Sequence, residues 1–147
     1  MAKTAPRRPY EGACHCGALE FTYETALSPR RWPVLACQCG FCRGHGALVT
    51  ADPQATVHFR YVFPDRLRRY RFALRTADYL ICRECGTYIG AVMMTGVGAV
   101  AAVNVNTFKE RPRGLAPAKA LNAYKTESLE ERRSRRRAAW TPVFGPV

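Results

Sequence analysis

The chain has 147 residues, 48 % of them hydrophobic, which is the usual size of one domain and enough for one modest core. The sequence has no eighteen-residue apolar run and no apolar stretch near Met1, so we expect a cytoplasmic protein with neither a membrane span nor a secretory signal. The formal net charge of +12 favours acidic partners, and residues 107–147, with ten Lys or Arg against four Glu, carry half of it.

Short runs of alternating apolar and polar residues predict a mainly β protein. The sequence Leu-Glu-Phe-Thr-Tyr from Leu19 to Tyr23 has the period of two that a half-buried strand requires. In residues 67–74 the apolar residues alternate with arginines, which predicts a strand with a basic outer face. Pro and Gly between the runs predict turns between antiparallel neighbours, and no βαβ rhythm occurs. The predicted strands are 19–23, 31–37, 47–51, 56–63, 67–74, 79–82, 87–93 and 100–108.

One helix is predicted near the end of the chain. Ser128-Leu-Glu-Glu131 has the spacing of a capping box, and helix-forming residues continue to about Trp140, before Pro142 ends the helix. We interpret its arginines as a solvated face rather than a nucleic-acid surface, because few aromatic residues are interleaved with them. These arginines are Arg132, Arg133, Arg135, Arg136 and Arg137.

Seven cysteines occur in three clusters. Their odd number, in a reducing compartment, favours metal binding over a disulfide framework. Thiolates on one tetrahedral zinc lie about 3.8 Å apart, whereas residues i and i+2 of a flat strand are about 7 Å apart. The chain must therefore bend at each Cys-x-Cys pair, and Gly17 and Gly40, which follow such pairs, tolerate a bend. The clusters are Cys14-His-Cys16-Gly17, Cys37-Gln-Cys39-Gly-Phe-Cys42 and Cys82-Arg-Glu-Cys85-Gly86.

The first and last clusters together supply four thiolates, which complete a closed, structural zinc site. The middle cluster supplies three and leaves the fourth zinc position for water or substrate, as catalytic sites do. We therefore predict two Zn²⁺ per chain. The predicted structural ligands are Cys14, Cys16, Cys82 and Cys85. The predicted ligands of the catalytic zinc are Cys37, Cys39 and Cys42.

Two alternatives compete with this division. His45, three residues after Cys42, would close the second site if it were the fourth ligand. A redox function of the Cys-x-x-Cys pairs has less support, because no thioredoxin-like βαβ context surrounds either pair.

The three clusters, in this order and spacing, resemble the glutathione-dependent formaldehyde-activating enzyme family, to which centromere protein V belongs. The resemblance implies a β-tent fold, with antiparallel sheets hinged at a structural zinc and a second zinc in a neighbouring cleft. It implies a single zinc-binding domain over residues 1–147, with a family core at about 10–108 and a basic C-terminal extension at about 109–147. The motifs that carry it are residues 12–17, 37–43 and 82–87.

The resemblance also implies carbon–sulfur chemistry, namely the addition of glutathione to formaldehyde and the reverse cleavage of S-hydroxymethylglutathione. We therefore expect a zinc-dependent carbon–sulfur lyase whose partner is a small thiol such as glutathione. Arg43 is a candidate for pairing with a substrate carboxylate, and His45 for proton transfer at the bound substrate. The alternative is a non-catalytic, zinc-stabilised binding module for a protein or an acidic partner.

Overall fold

The described part of the chain consists mainly of β-strands. The computed structural model describes residues 6–122 and 125–147. Its strands are β1 (Arg8–Ala13), β2 (Leu19–Thr25), β3 (Val34–Cys37), β4 (Val49–Thr50), β5 (Thr56–Tyr61), β6 (Leu67–Tyr70), β7 (Asp78–Cys82), β8 (Tyr88–Met94), β9 (Ala99–Asn104), β10 (Lys119–Leu121) and β11 (Thr141–Pro142). Its α-helices are α1 (Gly40–His45) and α2 (Leu129–Ala139), and its short 3-10 helices are Pro29–Arg31, Pro64–Arg66 and Val105–Thr107.

The strands form two sheets. The smaller sheet has the order β1-β2-β5, and the larger has the order β10-β3-β4-β9-β8-β7-β6, with β11 paired to β9. Neighbouring strands are antiparallel except β10 and β3, which run parallel. The expectation of a mainly β protein with a C-terminal helix is therefore confirmed, and the larger sheet is mixed rather than wholly antiparallel.

Each of the eight predicted strands overlaps an observed strand, but the prediction for residues 67–74 extends too far. Strand β6 ends at Tyr70, and Ala73 and Arg75 have φ angles of 52° and 55°. These left-handed conformations are incompatible with a strand. The chain therefore leaves the sheet here, and Phe72 packs against Phe41 instead, with ring centroids 5.3 Å apart. Strands β1, β10 and β11 and helix α1 were not predicted.

The main core lies between the two sheets. Alternate residues of β2 are buried, as the period of two predicts, and Phe21 and Tyr23 are almost completely enclosed. Their rings pack against Phe108 at centroid distances of 5.4 and 6.1 Å. Buried residues of β3, β5, β7, β8 and β9 belong to the same cluster. This contiguous core holds the two sheets in fixed positions, and with them the turns that carry the cysteines.

Helix α2 has the predicted capping box. Ser128 Oγ accepts a hydrogen bond from the Glu131 N–H at 3.2 Å, and Glu131 Oε1 accepts one from the Ser128 N–H at 3.2 Å. The interpretation of the helix as a solvated basic face is wrong for two of its arginines, because Arg132 and Arg136 are only 7 % and 6 % exposed. No helix in the described residues is long and apolar enough to cross a membrane.

Candidate metal centres and the adjoining cavity

The first group of thiols connects the two sheets. Cys14 and Cys16 lie in the turn between β1 and β2, whereas Cys82 ends β7 and Cys85 precedes β8. The four sulfur atoms lie within 4.8 Å of one another. Cys16 Sγ is 3.8 Å from Cys14 Sγ and 3.6 Å from Cys82 Sγ, close to the separation of about 3.8 Å expected around one tetrahedral zinc. The structure therefore gathers the four cysteines that the sequence analysis grouped.

Tight turns make this grouping possible. Gly17 and Gly86 have φ angles of 81° and 77°, which glycine adopts without steric cost. The Gly17 N–H donates to the Cys14 carbonyl at 3.1 Å, and the Gly86 N–H donates to the Cys82 carbonyl at 2.8 Å. The predicted bend after Cys16 is thus present in the structure.

Burial and hydrogen bonds change the acidity of three thiols in this group, Cys14, Cys82 and Cys85. Burial raises the pKa of Cys14 and raises the pKa of Cys82 to about 12. Burial also opposes ionisation of Cys85, but hydrogen bonds from Thr87 and from backbone N–H groups outweigh it and lower the pKa of Cys85 to about 6. Cys85 therefore loses its proton more readily than Cys14 and Cys82 do. Such a donor set suits a cation, whose charge would allow all four to ionise together.

The second group of thiols lies where β3 passes into α1. Cys37 ends β3, Cys39 is the N-cap of α1, and Cys42 lies in its first turn. Their sulfur atoms also lie within 4.8 Å of one another. Gly40 does not act as the predicted bend residue, because it is the first residue of the helix and its φ is not positive. The chain turns instead by starting a helix, in which the Cys42 N–H donates to Cys39 Sγ at 3.4 Å.

Two of these three thiols, Cys37 and Cys42, also differ in acidity. The hydrogen bond from the Cys42 thiol lowers the pKa of Cys37 to about 5, with smaller contributions from Cys39 and from the positive charge of Arg136. The same hydrogen bond, together with burial, raises the pKa of Cys42 far above its ordinary value. Cys37 therefore ionises before Cys42.

A cavity of about 330 Å³ adjoins the second group. All three cysteines line it, together with residues of both α2 and the larger sheet. Two tyrosines, Tyr79 and Tyr88, also form part of its wall, and burial raises the pKa of Tyr79 to about 12. Tyr79 therefore stays a neutral phenol near pH 7. The other lining residues are Leu35, Val49, Phe72, Ala73, Leu74, Ala91, Ala102, Leu121, Glu127, Arg132, Arg135, Arg136 and Trp140.

The arginines of α2 that line the cavity were missed as site residues. Arg132, Arg135 and Arg136 have the spacing i, i+3 and i+4, which places them on one face of the helix. Glu127 accepts hydrogen bonds from Arg135 Nε at 2.5 Å and Nη2 at 2.9 Å, and from Arg132 Nε at 3.3 Å. The helical spacing was the available signal, and it distinguishes these three residues from the exposed Arg133.

The predicted substrate-binding residues lie elsewhere. Arg43 and His45 are exposed, and neither is among the described residues that line the cavity. The ring of His45 lies beside Phe41, with centroids 4.3 Å apart, and its Nδ1 is 2.9 Å from the Phe41 carbonyl oxygen. Among the described residues, His45 is not part of the group that could hold a metal with the three thiols, which argues against its being a fourth ligand. Substrate binding by Arg43 and His45 stays a prediction.

The fold and the two thiol groups define a mainly β protein that could hold metal ions through cysteine sulfur. Residues 9–126 match the family described as glutathione-dependent formaldehyde-activating enzyme, and the chain belongs to that family. The resemblance seen in the cysteine motifs is thereby confirmed, and the match extends beyond residue 108.

The fold also resembles that of a solved structure. A crystal structure of a Rhodobacter sphaeroides protein is similar, with 29 % sequence identity and a TM-score of 0.57, over 76 % of this chain and 99 % of that one. No curated protein matches the chain.

Proposed function

We propose that this protein is a zinc-dependent carbon–sulfur lyase that acts on thiol–aldehyde adducts such as S-hydroxymethylglutathione. The observation that carries the proposal is that three thiols with sulfur atoms within 4.8 Å of one another line a cavity large enough for a small molecule. Family membership supplies the substrate class, a thiol combined with formaldehyde.

Zinc is the metal that the donor atoms favour. Four thiolates make a closed tetrahedral site, which suits a structural zinc held by Cys14, Cys16, Cys82 and Cys85. Three thiolates from Cys37, Cys39 and Cys42 leave one position for a ligand from solution. An ion bound there would supply Lewis-acid chemistry and would favour the thiolate form of a substrate sulfur.

The proposed reaction is balanced without a further reactant. In an adduct R–S–CH₂–OH the carbon–sulfur bond breaks, and its electron pair leaves with sulfur. The hydroxyl group loses its proton as the carbon–oxygen double bond of formaldehyde forms, and the sulfur gains a proton to give R–SH. Addition is the same step in reverse.

The described residues of the cavity favour this chemistry in two ways. The cavity lies beneath α2, whose buried arginines give it a positive wall for an anionic substrate. Tyr79 stays protonated near neutral pH, since burial raises its pKa, and can donate a hydrogen bond to an oxygen of the adduct. Both features come from groups that the fold already holds in place.

Replacing one cysteine in each group tests the proposal. In C39S we expect zinc to fall from about two to about one per chain and adduct cleavage to fall to the uncatalysed rate, because a ligand of the open site is lost. In the matched variant C16S we also expect the loss of one zinc, but with a lower unfolding temperature and with turnover by the folded fraction retained.

Zinc content, thermal unfolding and the rate of adduct exchange measured by NMR give the three readouts. Full activity in C39S after loss of one zinc would contradict the catalytic function and leave a zinc-stabilised binding module.

A further inference from the structure

Arg136 is a buried cation that has no carboxylate partner among the residues that the structure describes. Its Nη1 donates to Thr76 Oγ1 at 2.7 Å, and its Nη2 donates to Tyr79 Oη at 3.5 Å. Its guanidinium stacks on the ring of Trp140 at 4.6 Å from the centroid. Within the described residues its Nε has no hydrogen-bond partner. A guanidinium buried without a carboxylate partner is incompletely neutralised, so it can attract a negative group that enters the cavity beside the thiols.

The neighbouring carboxylate does not provide that group. Glu127 is the acidic residue among the described lining of the cavity, and it is engaged by Arg135 through two nitrogens and by Arg132 through one. The arginines of α2 that line the cavity therefore outnumber its carboxylate, and the wall near Arg136 is positive. A guanidinium in this position matches a carboxylate, which two of its N–H groups can contact together.

The rest of the cavity indicates what carries the carboxylate. Apart from the thiols, the tyrosines and the charged groups near α2, the described lining is aliphatic or aromatic, with side chains such as Leu35, Val49, Leu121 and Trp140. Such walls accommodate an apolar chain without leaving polar groups unpaired. Peptide bonds and an ammonium group, both of which glutathione contains, would find few partners on these side chains.

We propose that Arg136 determines substrate specificity by binding a carboxylate, and that the cavity selects adducts of thiols with one carboxylate on an apolar chain. This inference rests on the proposed lyase function, which it makes more specific. The family match ends at residue 126, before α2 begins, so the match itself does not cover Arg136.

Matched acid and alcohol thiols test the proposal directly. Binding of 6-mercaptohexanoate, 6-mercaptohexanol and glutathione to the zinc-loaded protein is measured by calorimetry, and turnover of their formaldehyde adducts by NMR exchange. The pair 3-mercaptopropionate and 3-mercaptopropanol tests a shorter chain. For at least one pair we expect the acid to bind about 10- to 100-fold more tightly than the alcohol, as an interaction with a charged group predicts. We expect the hexanoate adduct to have a higher kcat/KM than the glutathione adduct.

Variants of α2 identify the residue that is responsible. In R136Q the ratio of alcohol to acid dissociation constants should fall by about 10-fold or more. R136K keeps the charge but loses the planar fork, so its ratio should be intermediate. R133Q is the matched control, because Arg133 lies on the exposed side of the same helix, and it should retain the wild-type ratio. Zinc content and thermal unfolding establish that each variant is folded.

Contrary outcomes separate the role of Arg136, the apolar selectivity and the lyase function. Equal affinity for acid and alcohol in the wild type at both chain lengths, or an unchanged ratio in folded R136Q or R136K, would overturn the role of Arg136. An unchanged ratio with both ligands weakened equally in R136Q would show that Arg136 acts on the thiol group, which the acid and the alcohol share. A higher kcat/KM for the glutathione adduct would overturn the apolar selectivity. Binding selectivity without turnover of any adduct would support Arg136 and contradict the lyase.

Discussion

Replacing Glu127 with Gln tests whether an ion pair holds α2 over the cavity. Glu127 precedes the helix, and only 10 % of its side chain is exposed. It accepts two hydrogen bonds from Arg135 and one from Arg132. The Arg135 guanidinium is the main reason that the pKa of Glu127 is lowered. Gln keeps one acceptor oxygen, loses the negative charge and presents an NH₂ group toward two donors.

The expected loss can be worked out from these contacts. A hydrogen bond to a charged group contributes about 1.5–3 kcal/mol, and removal of one partner of a fully buried ion pair costs about 3–5 kcal/mol. The loss of stability in E127Q should be smaller than that of a fully buried ion pair, because the side chain of Arg135 is 30 % exposed and Gln keeps one acceptor. We expect E127Q to lower the free energy of unfolding by about 2 kcal/mol. For a chain of this size that corresponds to about 4–8 °C in Tm.

Thermal unfolding of the zinc-loaded protein, followed by circular dichroism, measures this change. Glu130 provides the control, because it is 76 % exposed and lies 4.0 Å from Arg137, so E130Q should change stability by less than about 0.5 kcal/mol. The contribution of Glu127 is present above its unfolded pKa and is lost as the pH falls through its lowered folded pKa. The difference between wild type and E127Q should therefore be constant between about pH 6 and 8. Equal Tm values for E127Q and E130Q would refute the ion pair as the anchor of α2.

Two further substitutions test the fold by unfolding in urea. S128A removes the Oγ that accepts from the Glu131 N–H at 3.2 Å and should cost about 1 kcal/mol; a change below about 0.3 kcal/mol would show that the capping box adds little to α2. G12A would place a methyl group 2.2 Å from Phe21 Cζ in the core and should cost about 1–3 kcal/mol. G44A, which meets nothing within 4 Å, is its control, and equal stability of the two variants would contradict tight packing at Gly12.

The features that the sequence predicted correctly are those encoded locally. The alternation in residues 19–23 predicts β2 because side-chain burial in a strand follows a period of two. The start of α2 follows from Ser128 and Glu131, which are three residues apart and contact each other's backbone. The grouping of Cys14 and Cys16 with Cys82 and Cys85 required only the number of thiols in each cluster. In each case the deciding interactions lie within a few residues or are restricted by coordination chemistry.

The features that were missed depend on contacts between distant residues. Strand β10 has three residues, and its parallel pairing with β3 joins segments more than eighty residues apart. Helix α1 contains two glycines in six residues, which gives it little intrinsic helical propensity. Residues 70–75 alternate like a strand, yet Phe72 packs on Phe41 and two residues adopt left-handed conformations. Local pattern could not predict these outcomes, because the contact that decides each of them is tertiary.

The two thiol groups have similar donors and differ in what completes them. A fourth sulfur, from Cys85, completes the first group, so its coordination would be satisfied within the chain. The second group contains three sulfurs and borders the cavity. Helix α2, which begins after the family match ends at residue 126, supplies the positive wall of that cavity. Three thiolates around a divalent ion carry a net charge of −1, which nearby arginines would offset while still attracting an anionic substrate. The cysteines would therefore determine the type of chemistry, and the arginines of α2 would determine the substrate on which it acts.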